Sequence, residues 1–160
     1  MYKTKNDLPE QVRTKVTELL NARLADSIDL QTQMKQAHWN VKGPNFIALH
    51  KLFDELRDEV DEAVDDIADR VTALGGVAEG TIQAVGTASS LPAYPLLLAA
   101  GRAHVQALAT AVAAVGKAVR TAIERSNELG DADTADLFTQ ISRTLDKYLW
   151  FLEAHLQADT

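Results

Sequence analysis

From Pro9 to about Asn40 the chain has no internal glycine or proline. Its apolar positions there, among them Val12, Val16, Leu19, Leu20, Leu24 and Ile28, recur three and four residues apart. That spacing marks one face of an α-helix. Pro9, following Asp7 and Leu8, suits a first helical turn, so the pattern predicts one long helix preceded by a short tail, residues 1–8. Lys42-Gly43-Pro44-Asn45 then breaks the periodicity, and a second helix is predicted from about Phe46 to Leu74, stopped by Gly75-Gly76. The connection GGVAEGTIQAVGTASSLPAYP is longer than an ordinary helix–helix turn and predicts a crossing of the bundle, with room for a short helix near Gln83. A third long helix is predicted from Leu96 to Glu128, rich in Ala and Leu despite Gly101 and Gly116, with Gly130 at its end. Asp133 or Thr134 would cap the last helix, whose stripe is Leu137, Ile141, Leu145, Leu149 and Leu152. Strand-like alternation is absent. The reading is all-α: one domain over residues 1–160, built as a four-helix bundle with a long connection between helices two and three.

Composition narrows the chemistry. At 160 residues and 17.4 kDa the chain is large enough for a real core. A formal net charge of -7 and a pI near 5.0 favour cation accumulation and argue against coating nucleic acid with the whole surface. With no cysteine, disulfides, thiolate catalysis and zinc–thiolate sites are excluded, so any metal chemistry uses histidine and carboxylates. The segment MYKTKNDLPEQVR lacks the apolar stretch of a signal peptide, and the most apolar region, Leu96 to Val119, is interrupted by Arg102, His104, Gln106 and Lys117. The expectation is a cytoplasmic protein with no membrane partner.

In the second helix His50 and Asp54 are four residues apart, as are Asp65 and Asp69, so each pair projects from one helix face. His38 adds a second imidazole just before the short loop. Imidazole with carboxylate suits iron, with zinc or manganese as competitors. Asp54 and Asp65 are eleven residues apart, about 16 Å along a helix axis, too far to hold one ion. The pairs 54/65 and 50/69 are both centred between residues 59 and 60. Two copies of the helix crossing antiparallel about a two-fold axis there would face each His50/Asp54 pair with a partner's Asp65/Asp69 pair. Two plainer readings compete. FDELRDEVDEAVDDIADR can be a solvated acidic face, and Asp58 and Asp61 share the same centre; the histidines can cap carbonyls or fill a polar pocket.

The string KQAHWNVKGPNFIALHKLFDELRDEVDEAVDDIADRVTALGGVAEGT closely resembles the signature region of Dps proteins, the small ferritins of starved bacteria. The similarity extends to YPL at 94–96 and to DTADLFTQISRTLDKYLWFLEAHL, and so covers most of the chain. The resemblance implies a ferritin-like fold in which His38, His50 and Asp54 are iron ligands from one subunit, and Asp65 and Asp69 come from its two-fold mate. The family usually carries Glu at the last of these positions; Asp69 is one methylene shorter, which implies altered metal occupancy. By the same resemblance the protein is a ferroxidase: twelve-subunit shells oxidise Fe(II) with hydrogen peroxide, or dioxygen, store ferric mineral, and protect the cell and its DNA from oxidative damage. Zinc would compete for the site. Trp39, beside His38, is either an electron donor to a reactive oxidant or a packed amphipathic aromatic.

Glu128, Asp131, Asp133 and Asp136 cluster at the turn into the last helix, where carboxylates of related proteins line three-fold pores; a capping and solvated-turn role is the plainer reading. DNA binding in the family uses a Lys-rich N-terminal tail. Here only Lys3 and Lys5 precede Pro9, so binding is expected to be weak or absent, and any nucleoid association slight. A di-iron oxidase built inside one bundle would need Glu-x-x-His motifs, and Glu153-Ala154-His155 has the wrong spacing. A shell that binds DNA or another metal without oxidising iron is the remaining alternative. His104 and His155 are read as structural or surface residues.

Overall fold

The structure is a computed structural model that describes residues 1–158. It contains five helices in chain order: α1 (Glu10–Asn40), α2 (Phe46–Ala73), α3 (Ile82–Ala88), α4 (Gly101–Glu128) and α5 (Ala132–Ala154). No strand occurs among the described residues; one isolated parallel bridge joins Lys42 to Ala100. The short turns 41–45 and 129–131 make α1/α2 and α4/α5 antiparallel hairpins, which pack on each other through α1 with α4 and α2 with α5. The all-α bundle with a long middle connection is therefore as expected, and α3 is the short helix placed near Gln83.

The apolar stripes meet in one core. Val16, Leu20, Leu24, Leu30 and Met34 of α1, Phe53, Leu56 and Ile67 of α2, Leu108, Val112 and Val119 of α4, and Phe138, Tyr148 and Leu152 of α5 are buried. Each such side chain contributes about 1.5–3 kcal/mol on leaving water, and long helices that would be marginal alone are held by that contact.

Two predicted boundaries shift, each for a backbone reason. The third long helix begins at Gly101 and not at Leu96. The Ala99 carbonyl accepts from Lys42 N at 2.8 Å and Gly101 N donates to the Lys42 carbonyl at 3.1 Å, so residues 99–101 are committed to the α1–α2 turn. The cap of the last helix is Asp131, not Asp133 or Thr134: Thr134 donates its N–H to Asp131 Oδ1 at 3.0 Å and its hydroxyl to Oδ2 at 2.6 Å. Pro9 sits at the N-cap of α1, one residue before its first turn.

The crossing connection is tied to α1 by polar groups. Buried Asp26 accepts from Ser90 N at 2.8 Å and from Ser90 Oγ at 2.9 Å, and it pairs with Arg23 at 2.8 Å. Ser89 Oγ donates to Asp29 at 2.6 Å, and Gln33 Nε2 donates to the Pro92 carbonyl at 3.1 Å. Residues 1–8 are not a free arm either. Tyr2 N donates to the Gly75 carbonyl at 2.7 Å, and Arg13 bonds the carbonyls of Leu8 and Leu74. Gly75, at φ 86°, is required there, because a Cβ would lie 2.6 Å from the Tyr2 carbonyl oxygen.

Asp131 is 2% exposed and also accepts from Arg70 at 2.8 Å, stapling the end of α2 to the start of α5. Removing a cap together with one partner of a buried ion pair is costly. Asp131→Ala should destabilise the protein by about 3 kcal/mol in guanidinium unfolding; a loss below about 0.5 kcal/mol would show that the staple contributes nothing.

Candidate metal centre

His38 lies in the last turn of α1 and His50 in the second turn of α2, so the 41–45 hairpin turn brings the two imidazoles face to face. Their rings stack with centroids 3.7 Å apart and planes 21° from parallel. His38 Nδ1 is 2.7 Å from the His50 carbonyl oxygen, and His50 Nδ1 is 2.9 Å from the His38 carbonyl oxygen. A carbonyl oxygen only accepts, so in both rings Nδ1 carries the proton and donates. The neutral rings then present their Nε2 lone pairs on the opposite edge. Backbone partners that fix tautomer and ring orientation are what a metal-binding imidazole needs.

Asp54 stands one turn after His50, with Oδ1 3.8 Å from His38 Nδ1. Its carboxylate accepts from the Lys35 ammonium, and that hydrogen bond holds the Asp54 carboxyl below its ordinary range; burial opposes, while the charges of His38, Lys35 and Arg57 add to the lowering. The carboxylate is therefore ionised at neutral pH. With Asp54 40% and Lys35 32% exposed, the pair contributes at most about 1 kcal/mol. A cation bound with micromolar affinity gains about 8 kcal/mol, so Lys35 is displaceable. Lys35, three residues before His38 on the same helix face, was not singled out from the sequence, although its i,i+3 spacing is visible there.

Asp65 and Asp69 are exposed and lie farther along α2, as the eleven-residue spacing requires. One chain thus stacks His38 on His50 and sets Asp54 3.8 Å from His38 Nδ1, and leaves the second acidic pair apart. Among the described residues, no three His, Asp or Glu side chains of one chain converge closely enough to hold a metal ion. Trp39 is 67% exposed. Of the four acids at the α4–α5 turn, Asp131 is removed as an entry-route candidate by its buried pairing with Arg70. Glu128 pairs with Arg125 at 2.6 Å, while Asp133 and Asp136 are exposed and share an open cleft with Asp66 and Asp69. His104 is buried and His155 exposed. No described helix is long and apolar enough to cross a membrane.

A helical bundle with a crossing middle connection is the ferritin-like architecture, and the ferritin-like domain family model matches residues 17–160. A DNA protection during starvation protein of Agrobacterium fabrum is 50% identical over 156 residues, covering 98% of this chain and 96% of that protein. The solved structure of Mycobacterium smegmatis Dps in its tetragonal form superposes with a TM-score of 0.94 at 31% identity, covering 99% of this chain and 95% of the other. Dps from Microbacterium arborescens, solved in a high iron form, gives 0.88 at 30% identity over 97% of this chain and 99% of that one. The chain belongs to the Dps family.

The hydrogen-bond pattern fixes a spectroscopic outcome. At pH above the histidine range, 15N NMR of the metal-free protein should show His38 and His50 both as the Nδ1–H tautomer, against the Nε2–H form that free histidine prefers. An Nε2–H signal from either ring would contradict the reciprocal arrangement.

Proposed function

We propose that the protein is a ferroxidase and iron store whose centre is completed by two copies of the chain. The observation that carries this reading is the pair of imidazoles locked through Nδ1 with Nε2 directed away, beside an ionised Asp54, in a chain that does not close the site by itself. In the two-fold arrangement, His38, His50 and Asp54 of one copy face Asp65 and Asp69 of the other. Neutral imidazoles accept Fe(II); carboxylates stabilise the Fe(III) product. Two Fe(II) ions give two electrons to one hydrogen peroxide, the O–O bond breaks, and two protons complete two waters, so no hydroxyl radical leaves the site. Dioxygen is the slower oxidant, and zinc competes for the same donors. The shorter Asp69 leaves the second iron more weakly held than the first.

The whole chain acts as one ferritin-like domain in a twelve-subunit shell built from such dimers, with ferric mineral inside, in the cytoplasm. The high iron form of the Microbacterium relative and the name of the Agrobacterium relative support iron storage and DNA protection as the role. Direct DNA binding is weak or absent: the segment bearing Lys3 and Lys5 is folded back on Gly75. Asp133 and Asp136, which share a cleft with Asp69, are the acids that lead Fe(II) inward.

A second reading, a shell that protects by binding DNA or another metal without oxidising iron, draws on the Lys35–Asp54 ion pair, which leaves Asp54 neutralised by the protein itself.

Sharing of ligands gives the test. Homogeneous His50→Ala and Asp65→Ala shells should each oxidise Fe(II) at least tenfold more slowly than wild type while remaining assembled. When the two variants are unfolded and co-refolded, mixed dimers carry one intact site, so activity should recover to about a quarter of wild type; no recovery above the average of the parents would refute a shared centre. Lys35→Met should bind Co(II), a spectroscopic stand-in for Fe(II), several-fold more tightly, and unchanged affinity would show that Lys35 does not compete for Asp54.

A further inference from the structure

His104 lies in the first turn of α4 and is 1% exposed. Its Nδ1 is 2.7 Å from the Tyr94 hydroxyl of the crossing connection, and the two rings are nearly parallel, 16° apart, with centroids 6.1 Å apart. Nε2 makes no hydrogen bond of good geometry, the one buried side-chain polar atom so placed among the described residues, although the Leu98 and Asn40 carbonyls lie near the ring. An unpaired buried nitrogen costs about 1–3 kcal/mol, and most buried polar groups in folded proteins avoid it.

Three other segments close the pocket. The end of α1 contributes the Asn40 carbonyl, the α1–α2 turn contributes Lys42, and α2 contributes the uncharged Phe53 ring, centroid 6.5 Å away; the crossing connection adds the Leu98 carbonyl to Tyr94. Lys42 is the charged side chain acting on the ring, and no carboxylate does so. Three long-range ties hold the same segments: Lys42 N to the Ala99 carbonyl at 2.8 Å, Gly101 N to the Lys42 carbonyl at 3.1 Å, and Gln33 to Pro92 at 3.1 Å. His104 is thus the polar centre of the junction where the connection, the α1–α2 turn and α4 meet.

We propose that His104 is an acid-operated latch: neutral, it holds residues 92–101 and the 41–45 turn on the bundle, and protonated, it releases them. A second proton makes both ring nitrogens donors. Tyr94 then accepts from Nδ1 and must turn its own hydroxyl proton elsewhere, while a full positive charge sits beside Lys42 with no anion to meet it. Burial pushes the imidazole below its ordinary value; the Leu98 carbonyl opposes, Lys42 adds to the lowering, and the Asn40 carbonyl opposes. The direction of the pH effect follows. In the opened form the ring titrates near its ordinary value of about 6.5, whereas in the closed form it stays neutral to lower pH. Opening is independent of pH above about 6.5 and gains about tenfold per pH unit below it, until the closed form also protonates. The segment released carries the already exposed Leu96 and Leu97 and forms one wall of an open, largely apolar cleft through Tyr94 and Leu98, opposite Ala107 of α4, so acid removes that wall.

The test is amide hydrogen exchange of the assembled protein at pH 7.5, 6.5 and 5.5, corrected for the intrinsic pH dependence of exchange, in wild type and His104→Gln. In wild type the opening of residues 92–101 and 41–45 should rise about fivefold between pH 6.5 and 5.5, while residues 108–119 of α4 stay protected. In His104→Gln the opening should not change with pH. Flat wild-type exchange, or the same acid slope in His104→Gln, would overturn the latch. Should the glutamine variant not fold, histidine NMR of wild type decides: a His104 midpoint below 6.5 is expected, and one at or above 6.5 would overturn the latch as well.

Discussion

Two imidazole–carbonyl hydrogen bonds, each running from one histidine to the other's backbone, are the constraint around which the site is organised. Because the donor in each is Nδ1–H, one contact fixes three things together: the tautomer, the orientation of the rings, and the distance between the end of α1 and the start of α2. A helix hairpin could close in many ways. This one closes so that the two rings stack with their Nδ1 protons engaged, and Asp54, held by Lys35, stands 3.8 Å from His38 Nδ1. The short 41–45 turn is in turn held by Lys42, whose N–H and carbonyl are paired with residues 99–101 across the bundle.

The remaining polar groups of the interior serve the long connection. Four helices can pack with simple up-down turns; crossing from the far end of α2 to the start of α4 leaves some 27 residues of chain with few apolar anchors. Asp26, Asp29 and Gln33 supply the anchors from α1, and the Arg70–Asp131–Thr134 group fastens the opposite end. Asp58 and Asp61 pair with Arg57, whereas Asp65 and Asp69 have no ion pair among the described residues. A face that carries Asp65 and Asp69 without intramolecular partners is what a second copy of the chain would find opposite its own histidines.

Helix existence was legible from periodicity because each long helix has a continuous apolar stripe, and the turns were legible because Gly43-Pro44 and Gly75-Gly76 interrupt it. The start of α4 was not. Leu96 to Ala100 have strong helix formers, but Leu96 and Leu97 form a turn after Pro95, and a tertiary pairing of residues 99–101 with Lys42, invisible in local sequence, delays the helix. The cap fell at Asp131 because its partner Arg70 is 61 residues away. For the site, spacing placed His50 one turn before Asp54, and the break after Asn40 set His38 at the start of the turn across which the two rings stack. Lys35 stands at i,i+3 from His38, but its partner Asp54 is on the next helix, and the tautomer-fixing carbonyls have no residue identity at all. His104 was read as structural, which its burial supports, but its missing partner is a property only of the folded chain.

The most direct single measurement is anaerobic loading of the assembled protein with Fe(II), followed by a hydrogen peroxide pulse, with ferric absorbance and protein-bound soluble iron recorded together. A centre built from two copies as described should oxidise iron far faster than a protein-free control, at two Fe(II) per peroxide, and should keep the product in solution with the shell. Oxidation at the control rate, or ferric precipitate outside the protein, would contradict a ferroxidase centre and leave a helical shell that binds without oxidising.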